Sequence, residues 1–231
     1  MTVEIWFEFA STYSYLTVSR AEAACEAAGV AFEWKPFLLG PVFQAKGLST
    51  SPFVIDPIKG AYMWRDVARR AARFGLPFQR PDIFPANGLN AARIMTAALD
   101  QPWCGAFARA VFQAQFVRGE DISRPETLAA ALRACGVEPE PWFDQAQSDA
   151  VKATLRQRTQ TAQAQGLLGA PSFLVQGELF WGDDRLEDAI AWARAHPSLE
   201  RRKDVNRVHP QGNTGTMTDT ASPNPTSTPQ T

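Results

Sequence analysis

Strand-forming segments lie only near the two ends of the first 200 residues, and this arrangement constrains the fold more than any other feature. These segments are short, rich in β-branched and aromatic residues and bounded by turn residues. In chain order they are 3–9, 31–37, 172–175 and 178–181. Neither end carries enough strands for a stable sheet alone, so we expect the two ends to pair in one sheet.

Helical periodicity fills the rest of the chain as far as residue 195. The predicted helices are 12–28, 61–74, 90–99, 103–117, 125–135, 141–165 and 183–195. We expect Ile190 and Trp192 of the last helix to face inward. A βαβ unit therefore comes first, a helical block follows, and a β-hairpin with a helix comes last. This order predicts an α/β thioredoxin fold (βαβ … ββα) with a large all-helical insertion.

The domain boundaries follow from this order. We predict a thioredoxin-like domain from 1–39 and 166–200, and a helical insertion domain at 40–165. Residues 201–231 are rich in proline and threonine and contain no aromatic residue, so we predict a disordered tail.

The charge, the apolar runs and the cysteines of the sequence argue against several classes of binding partner. The net charge of −1 argues against electrostatic capture of nucleic acid or of an anionic membrane. No apolar run approaches the length needed to span a bilayer, and the first residues lack a basic leader. Three well-separated cysteines, Cys25, Cys104 and Cys135, match no metal spacing and suggest small buried side chains in a reduced compartment. We therefore expect a cytoplasmic protein without a metal site.

The first candidate site lies where the first strand meets the first helix, at Ser11 and Thr12. The free N–H groups at the start of a helix favour an anion there. Since no Cys-x-x-Cys occurs, the turn offers a hydroxyl, which can donate a hydrogen bond to a thiolate supplied by a ligand. The alternative is that Ser11 or Thr12 only caps the helix.

The second candidate is Gly169-Ala170-Pro171, directly before a strand. A cis bond before Pro171 would turn the Ala170 backbone toward the Ser11 turn, where it can pair with an extended peptide-like ligand. The alternative is an ordinary proline at the entry of a strand.

Charged residues supply the remaining candidates. Asp183 and Asp184 start a helix, where one of them can act as the N-cap and the two together can bind a ligand ammonium. Lys59 precedes a predicted helix, where its charge opposes the helix dipole, which favours a ligand role. The alternative is an ordinary solvated lysine. The arginines of the 61–74 helix suggest a solvated face, with Asp66 paired to Arg70.

Four motifs in register resemble the 2-hydroxychromene-2-carboxylate isomerases and the related kappa-class glutathione transferases, of the DsbA-type branch of the thioredoxin superfamily. They begin at Phe7 (FEFASTYSYL), Pro57 (PIKGAYM), Gly169 (GAP) and Phe180 (FWGDDRL). The resemblance runs from about residue 3 to residue 196.

The resemblance implies glutathione as the cofactor and a role for each matched residue. Ser11 would hold the glutathione thiolate, with Thr12 beside it. Ala170 and Pro171 would pair with the cysteinyl backbone. Asp183 and Asp184 would receive the γ-glutamyl end, Lys59 would line the site, and Thr50 stands where relatives often have an asparagine. The family also implies a homodimer.

The implied reaction is the glutathione-dependent isomerisation of 2-hydroxychromene-2-carboxylate, a small aromatic substrate, to trans-o-hydroxybenzylidenepyruvate, in aromatic catabolism. Two other functions stay open at this point. One is a kappa-class-like glutathione transferase or peroxidase, and the other is a non-enzymatic thioredoxin-fold module that binds peptides. No His–carboxylate pair is evident near Ser11, so Ser11 is not expected to act as a covalent nucleophile.

Overall fold

A four-stranded mixed sheet joins the two ends of the chain, as the sequence predicts. The computed structural model describes residues 1–196. The strands are β1 (Thr2–Phe7), β2 (Ala31–Pro36), β3 (Ser172–Val175) and β4 (Glu178–Trp181). Their order is β2-β1-β3-β4. The β1–β2 pair is parallel, whereas β1–β3 and β3–β4 are antiparallel. The fold is α/β and thioredoxin-like, with helices between the two sets of strands.

The connection from β1 to β2 contains two helices rather than the single predicted one. Helix α1 (Thr12–Val18) ends before Arg20, and α2 (Ala21–Ala28) begins after it. The backbone leaves the helical region at Arg20, with φ −130° and ψ −15°. The Arg20 side chain contacts Asp183 and Glu187, far away in sequence. A contact between distant residues thus accompanies a break that periodicity does not reveal.

Eight helices lie between β2 and β3. They are α3 (Leu39–Ala45), α4 (Pro52–Ile55), α5 (Pro57–Arg73), α6 (Leu89–Ala97), α7 (Cys104–Phe116), α8 (Pro125–Ala134), α9 (Glu140–Ala146) and α10 (Asp149–Ala164). The predicted 141–165 helix is therefore two helices, because the Ser148 hydroxyl accepts a hydrogen bond from the Val151 N–H and starts α10. Helix α5 begins four residues earlier than predicted, since Asp56 caps it.

The chain after β4 begins with a single 3₁₀ turn, Asp183–Arg185, and continues as α11 (Leu186–Ala195). Ile190 is buried as predicted. Trp192 is 38% exposed, so its predicted inward position is wrong. Its indole instead stacks on His196, with 4.1 Å between ring centroids. The predicted tail at 201–231 lies outside the described residues.

One continuous hydrophobic core links the sheet to the central helices. Phe7 and Phe9 both pack against Phe112 of α7, with ring centroids 6.1 and 5.3 Å apart. Tyr15 of α1 adds a further contact to Phe116 at 5.5 Å. On the opposite face of the sheet, Trp6 joins a smaller cluster with residues of α3, α10 and β3. Since α7 packs directly on β1 and α1, the helical segment helps to fix the turn between them.

Gly60 provides a test of how α4 is held against α5. A Cβ atom at this buried position would collide with the backbone carbonyl oxygen of Phe53 in α4. We expect Gly60→Ala to lower the free energy of unfolding by about 1–3 kcal/mol through overpacking. Gly40 in α3 has open space around its Cα and is the matched control. We expect Gly40→Ala to be neutral or slightly stabilising in the same urea titration. Equal effects of the two substitutions would contradict this packing.

Candidate active site

Ser11 joins the start of α1 to the segment before β3. Its hydroxyl oxygen accepts a hydrogen bond from the Ser14 N–H at 3.1 Å and donates one to the Ala170 carbonyl at 2.9 Å. The first contact makes Ser11 the N-cap of α1, as the alternative interpretation expected. The second connects residues that are 159 positions apart in sequence. Capping and proximity to Ala170 therefore occur together.

The segment Gly169–Ser172 presents its backbone beside Ser11. The Ala170–Pro171 peptide bond is cis, as predicted. The Pro171 carbonyl accepts a hydrogen bond from the Gly182 N–H at 3.0 Å, and the Ser172 hydroxyl donates to the Gly169 carbonyl at 2.8 Å. Pro171 is buried and Ala170 is half-buried. These contacts fix the segment from both sides and leave Ala170 partly accessible next to Ser11.

Thr12, which the resemblance places beside the glutathione thiolate, has its side chain turned into the protein. It is buried, and its hydroxyl donates to the sulfur of Met63 in α5 at 3.1 Å. The side chain thus ties α1 to α5, and a ligand at Ser11 would find only the Thr12 backbone. The reason is the helical geometry, which turns the residue after the cap toward the neighbouring helix.

Asp183 is already paired inside the protein. Its carboxylate, 3% exposed, accepts hydrogen bonds from Nε and Nη2 of Arg70 at 3.0 and 2.8 Å, and Arg20 Nη2 lies 3.8 Å away. Burial raises the pKa of this carboxyl, and the two guanidinium groups oppose that rise. The role of Asp183 toward a ligand ammonium stays a prediction, and the structure shows a buried carboxylate whose charge is compensated by arginine. Asp184 remains as an exposed carboxylate, 3.2 Å from Arg185.

Arg20 and Arg70 were missed by the sequence analysis, which paired Arg70 with Asp66. In the structure Asp66 accepts a hydrogen bond from the Tyr13 hydroxyl at 3.0 Å and pairs with Arg69 at 3.3 Å. The Asp66–Arg70 prediction is therefore wrong. Helical spacing of four residues allows such a pair, but a buried carboxylate competes better for the guanidinium than an accessible one. No local sequence signal reveals this choice.

Lys59 lies in α5 and Thr50 lies in the connection that precedes α4. Lys59 lies in the first turn of α5, not before it, with an exposed ammonium 3.5 Å from Asp56. Thr50 is half-buried in the connection between α3 and α4. The Lys46 ammonium at the end of α3 reaches the Leu168 carbonyl at 3.5 Å, which brings this connection close to the Gly169–Ser172 segment. Among the described residues, neither Lys59 nor Thr50 makes a hydrogen bond to Ser11 or Ala170.

Tyr13 is a further site neighbour without a predicted role. Its ring packs against Phe53 of α4 with centroids 6.3 Å apart, and its hydroxyl bonds Asp66. Burial and the Asp66 carboxylate raise the pKa of this phenol above its ordinary value. Tyr13 is therefore a neutral aromatic residue that joins α1 to α4 and α5 beside Ser11.

Glu8 is a buried carboxyl group directly under the Ser11 turn. Its side chain accepts hydrogen bonds from the N–H groups of Leu39 at 2.7 Å and Ala10 at 3.5 Å, and its carbonyl accepts from the Ser11 N–H at 3.0 Å. Burial raises its pKa to about 7, although these N–H groups favour the ionised form. The sequence signal is an acid inside the apolar run IWFEF. Glu8 thus connects the turn to the start of α3.

The cysteines carry no reactive thiolate chemistry in this arrangement. All three are free, and burial raises the pKa of Cys25 to about 11 and shifts the pKa of Cys104 and Cys135 in the same direction. Their thiols therefore stay protonated at neutral pH. Cys25 and Cys104 are buried as expected, whereas Cys135 is half-buried. Cys25 lies in α2, one helix beyond the Ser11 turn.

A separate cavity of about 530 Å³ lies on the other face of the sheet. Glu4, Trp6 and Lys35 line it from the strands, and polar side chains of α10 complete it. None of the predicted site residues lines it. It is an open groove with a mixed polar and apolar lining, whereas the Ser11 turn combines a helix start, an accessible backbone and buried charged groups. We therefore place the candidate active site at Ser11.

The family of the protein follows from its sequence. The sequence model of the DsbA-like thioredoxin domain matches residues 2–190. The chain belongs to this family. A 2-hydroxychromene-2-carboxylate isomerase from Sphingobium xenophagum is 26% identical over 188 residues, which cover 80% of this chain and 94% of that protein. Glutathione S-transferase kappa 1 from Homo sapiens is 25% identical over 200 residues, covering 80% and 88% respectively.

A solved structure supports the same fold. A 2-hydroxychromene-2-carboxylate isomerase superposes with a TM-score of 0.73 at 21% identity, covering 90% of this chain and 100% of that one. The resemblance inferred from the four motifs is thus confirmed at the level of family and fold, and the relatives are named as isomerases and glutathione transferases. Within residues 1–196, none of the helices is long and apolar enough to cross a lipid bilayer.

Asp183 can be tested through stability. We expect Asp183→Asn to lower the free energy of unfolding by about 1–3 kcal/mol, because Arg70 and Arg20 lose the anion that compensates them. Asp188→Asn removes an exposed carboxylate that pairs with Arg185 at 2.7 Å and serves as the control. That change should stay within about 0.5 kcal/mol in the same urea titration. If Asp183→Asn matched the control, the inferred role of the arginine pair would be wrong.

Glu8 predicts a particular dependence of stability on pH. Its folded-state pKa of about 7 exceeds the ordinary value of 4.5, so the folded protein binds more protons than the unfolded chain between these values. Stability should therefore fall as the pH rises from 4.5 to 7, by about 3 kcal/mol from this group. Glu8→Gln, which keeps an acceptor for Leu39, should remove that slope.

The comparison for Glu8 is the exposed Glu26 of α2. Urea titrations of Glu26→Gln should reproduce the pH dependence of the original protein. A Glu8→Gln protein with the same slope between pH 4.5 and 7 would show that Glu8 is not the group that titrates.

Proposed function

We propose that the protein is a glutathione-dependent isomerase that converts 2-hydroxychromene-2-carboxylate to trans-o-hydroxybenzylidenepyruvate. The main support is the contact between the Ser11 hydroxyl and the Ala170 carbonyl. It brings a hydroxyl to the start of a helix beside an accessible backbone, in a family described as DsbA-like. A hydroxyl there cannot exchange disulfides, so the reactive sulfur has to come from a ligand. The isomerase relatives agree with this reaction class.

The groups around Ser11 fit the chemistry of glutathione. The tripeptide carries one thiol, an extended backbone, one ammonium and two carboxylates. We propose that Ser11 binds the sulfur, that the Ala170–Pro171 backbone pairs with the cysteinyl residue, and that Asp184 receives the γ-glutamyl ammonium. Lys59 and Thr50 would bind the carboxylates and the remaining amide from the α3–α5 side. Asp183 and Thr12 would support these groups from within the protein.

When bound, glutathione would supply a thiolate that adds to the conjugated carbon of the ring-opened substrate, which leaves a single bond that can rotate. Departure of the same thiolate would restore the double bond, with no net oxidation or reduction. Ser11 would turn its hydroxyl proton from the Ala170 carbonyl to the sulfur, which favours the thiolate over the thiol. The Ser14 N–H would keep the Ser11 oxygen in place during this change. Neutral Tyr13 and its apolar partner Phe53 would limit water on one side.

Ser11→Ala tests this proposal most simply. We expect turnover at saturating glutathione to fall at least about tenfold, because the thiolate loses its hydrogen bond. The substitution also removes a helix cap, which costs about 1 kcal/mol of stability. Ser148→Ala removes the corresponding cap of α10 and is the matched control. It should lose similar stability and keep full turnover. Unchanged turnover in Ser11→Ala would remove Ser11 from the mechanism.

A second candidate function is glutathione conjugation or peroxide reduction. The likeness to human glutathione S-transferase kappa 1 supports it, at nearly the same identity as the isomerase. Both functions would use the same sulfur at Ser11 and differ in the electrophile. Turnover of the chromene acid without turnover of an aryl halide or a peroxide favours the isomerase, and the reverse result favours the transferase. Binding of extended peptides without glutathione would instead indicate a non-enzymatic module.

The proposal also includes a homodimer, a small aromatic substrate and a cytoplasmic location, which follow from the same resemblance. The exposed apolar residues of α4 and α5 offer a surface for a partner or substrate. They are Val54, Ile55, Ile58 and Tyr62. Light scattering at micromolar concentration would measure the oligomeric state directly.

A further inference from the structure

Trp181 is an exposed tryptophan that lies directly beside the backbone contacted by Ser11. It ends the edge strand β4, where it pairs with Ser172 of β3. The next residue, Gly182, donates its N–H to the Pro171 carbonyl at 3.0 Å. Trp181 is 54% exposed. Its position is therefore fixed by the sheet, yet much of its indole has no protein partner.

The indole of Trp181 packs against Gly169. A Cβ atom at residue 169 would lie 2.8 Å from Nε1 of Trp181 and 3.4 and 3.5 Å from two ring carbons. Gly169 does not have a positive φ angle, so its backbone conformation does not require glycine. Glycine at this position instead leaves room for the indole ring, which a Cβ atom would displace. The sequence thus keeps a space in which a large apolar ring lies one residue away from Ala170.

Leu168 extends the same surface. Its side chain is 48% exposed and directly precedes Gly169. Two large apolar side chains thus flank the segment that approaches Ser11, and neither is used in the core. Aromatic side chains of this kind gain most from a planar apolar partner that stacks against them. A conjugated aromatic ring is such a partner.

We propose that Trp181, with Leu168, forms the wall against which the aromatic ring of the electrophilic substrate stacks. Trp181 is then a specificity-determining residue that selects planar aromatic substrates over aliphatic ones. The inference rests on the proposed function, because it assumes that the reacting carbon is brought to a sulfur at Ser11. It leaves glutathione on the Ala170–Pro171 backbone, with the substrate ring on the adjoining Trp181 and Leu168 side chains.

Two substitutions probe the wall in different ways. Trp181→Leu removes the stacking surface, and Gly169→Ala displaces the indole while keeping it in the protein. Both should raise KM for the chromene acid, by about tenfold for Trp181→Leu, with a much smaller change in kcat. Trp181→Phe should recover most of the loss. Trp192→Leu removes the exposed tryptophan of α11 and should leave KM unchanged.

Calorimetry separates the wall from the glutathione site. We expect Trp181→Leu to keep the glutathione Kd of the original protein and to weaken binding of trans-cinnamate, an unreactive aromatic carboxylate, by about tenfold. The original protein could bind trans-cinnamate more tightly than Trp181→Leu and yet show no glutathione-dependent isomerisation. In that case the proposed function is wrong, and Trp181 is still a binding surface for an aromatic ring. An unchanged KM and unchanged trans-cinnamate binding in Trp181→Leu would overturn the inference. So would a loss of glutathione binding alone.

Discussion

The antiparallel pairing of β1 with β3 is the constraint on which the candidate site depends. In its register Ile5 lies opposite Phe173, so the end of β1 and the start of β3 lie side by side at the same edge of the sheet. The end of β1 leads into the Ser11 turn, and the start of β3 is preceded by Ala170 and Pro171. The two segments therefore meet although a long helical region separates them in sequence. The Ser11–Ala170 hydrogen bond is a consequence of this register, and a slip by one residue would turn Ser11 away.

Much of the fold can be predicted from local patterns because the strands have strong ones. The β3–β4 hairpin agrees with the sequence at both of its ends, since Gln176-Gly177 fixes the turn. The predictions fail where contacts between residues distant in sequence determine the local structure. The helix break at Arg20 accompanies contacts with Asp183 and Glu187, and Trp192 stacks outside the core on His196. Periodicity describes one element at a time and does not contain these contacts.

In the candidate site, too, the residues within a motif could be predicted from sequence, whereas contacts between distant segments could not. The motifs place Ser11 in one segment and Ala170 and Pro171 in another, and the sheet brings the two segments together. The partners of the charged groups could not be predicted, because burial decides them. Asp183 pairs with Arg70, which lies 113 residues earlier in the sequence, so its charge is compensated within the protein. Glu8 lies in the predicted 3–9 strand segment, which says nothing about its partners, yet its carboxylate is buried and accepts a hydrogen bond from Leu39 at the start of α3. These buried groups shape a site whose exposed groups are few.

In the proposed mechanism the reactive sulfur belongs to glutathione, and the protein stabilises that sulfur as an anion. The most direct measurement is a pH titration of bound glutathione, followed by the ultraviolet absorbance of its thiolate. The account predicts a thiol pKa well below that of free glutathione in the original protein, and a return most of the way to the free value in Ser11→Ala at saturating glutathione. The same pKa for bound and free glutathione, or the same low pKa in both proteins, would contradict it.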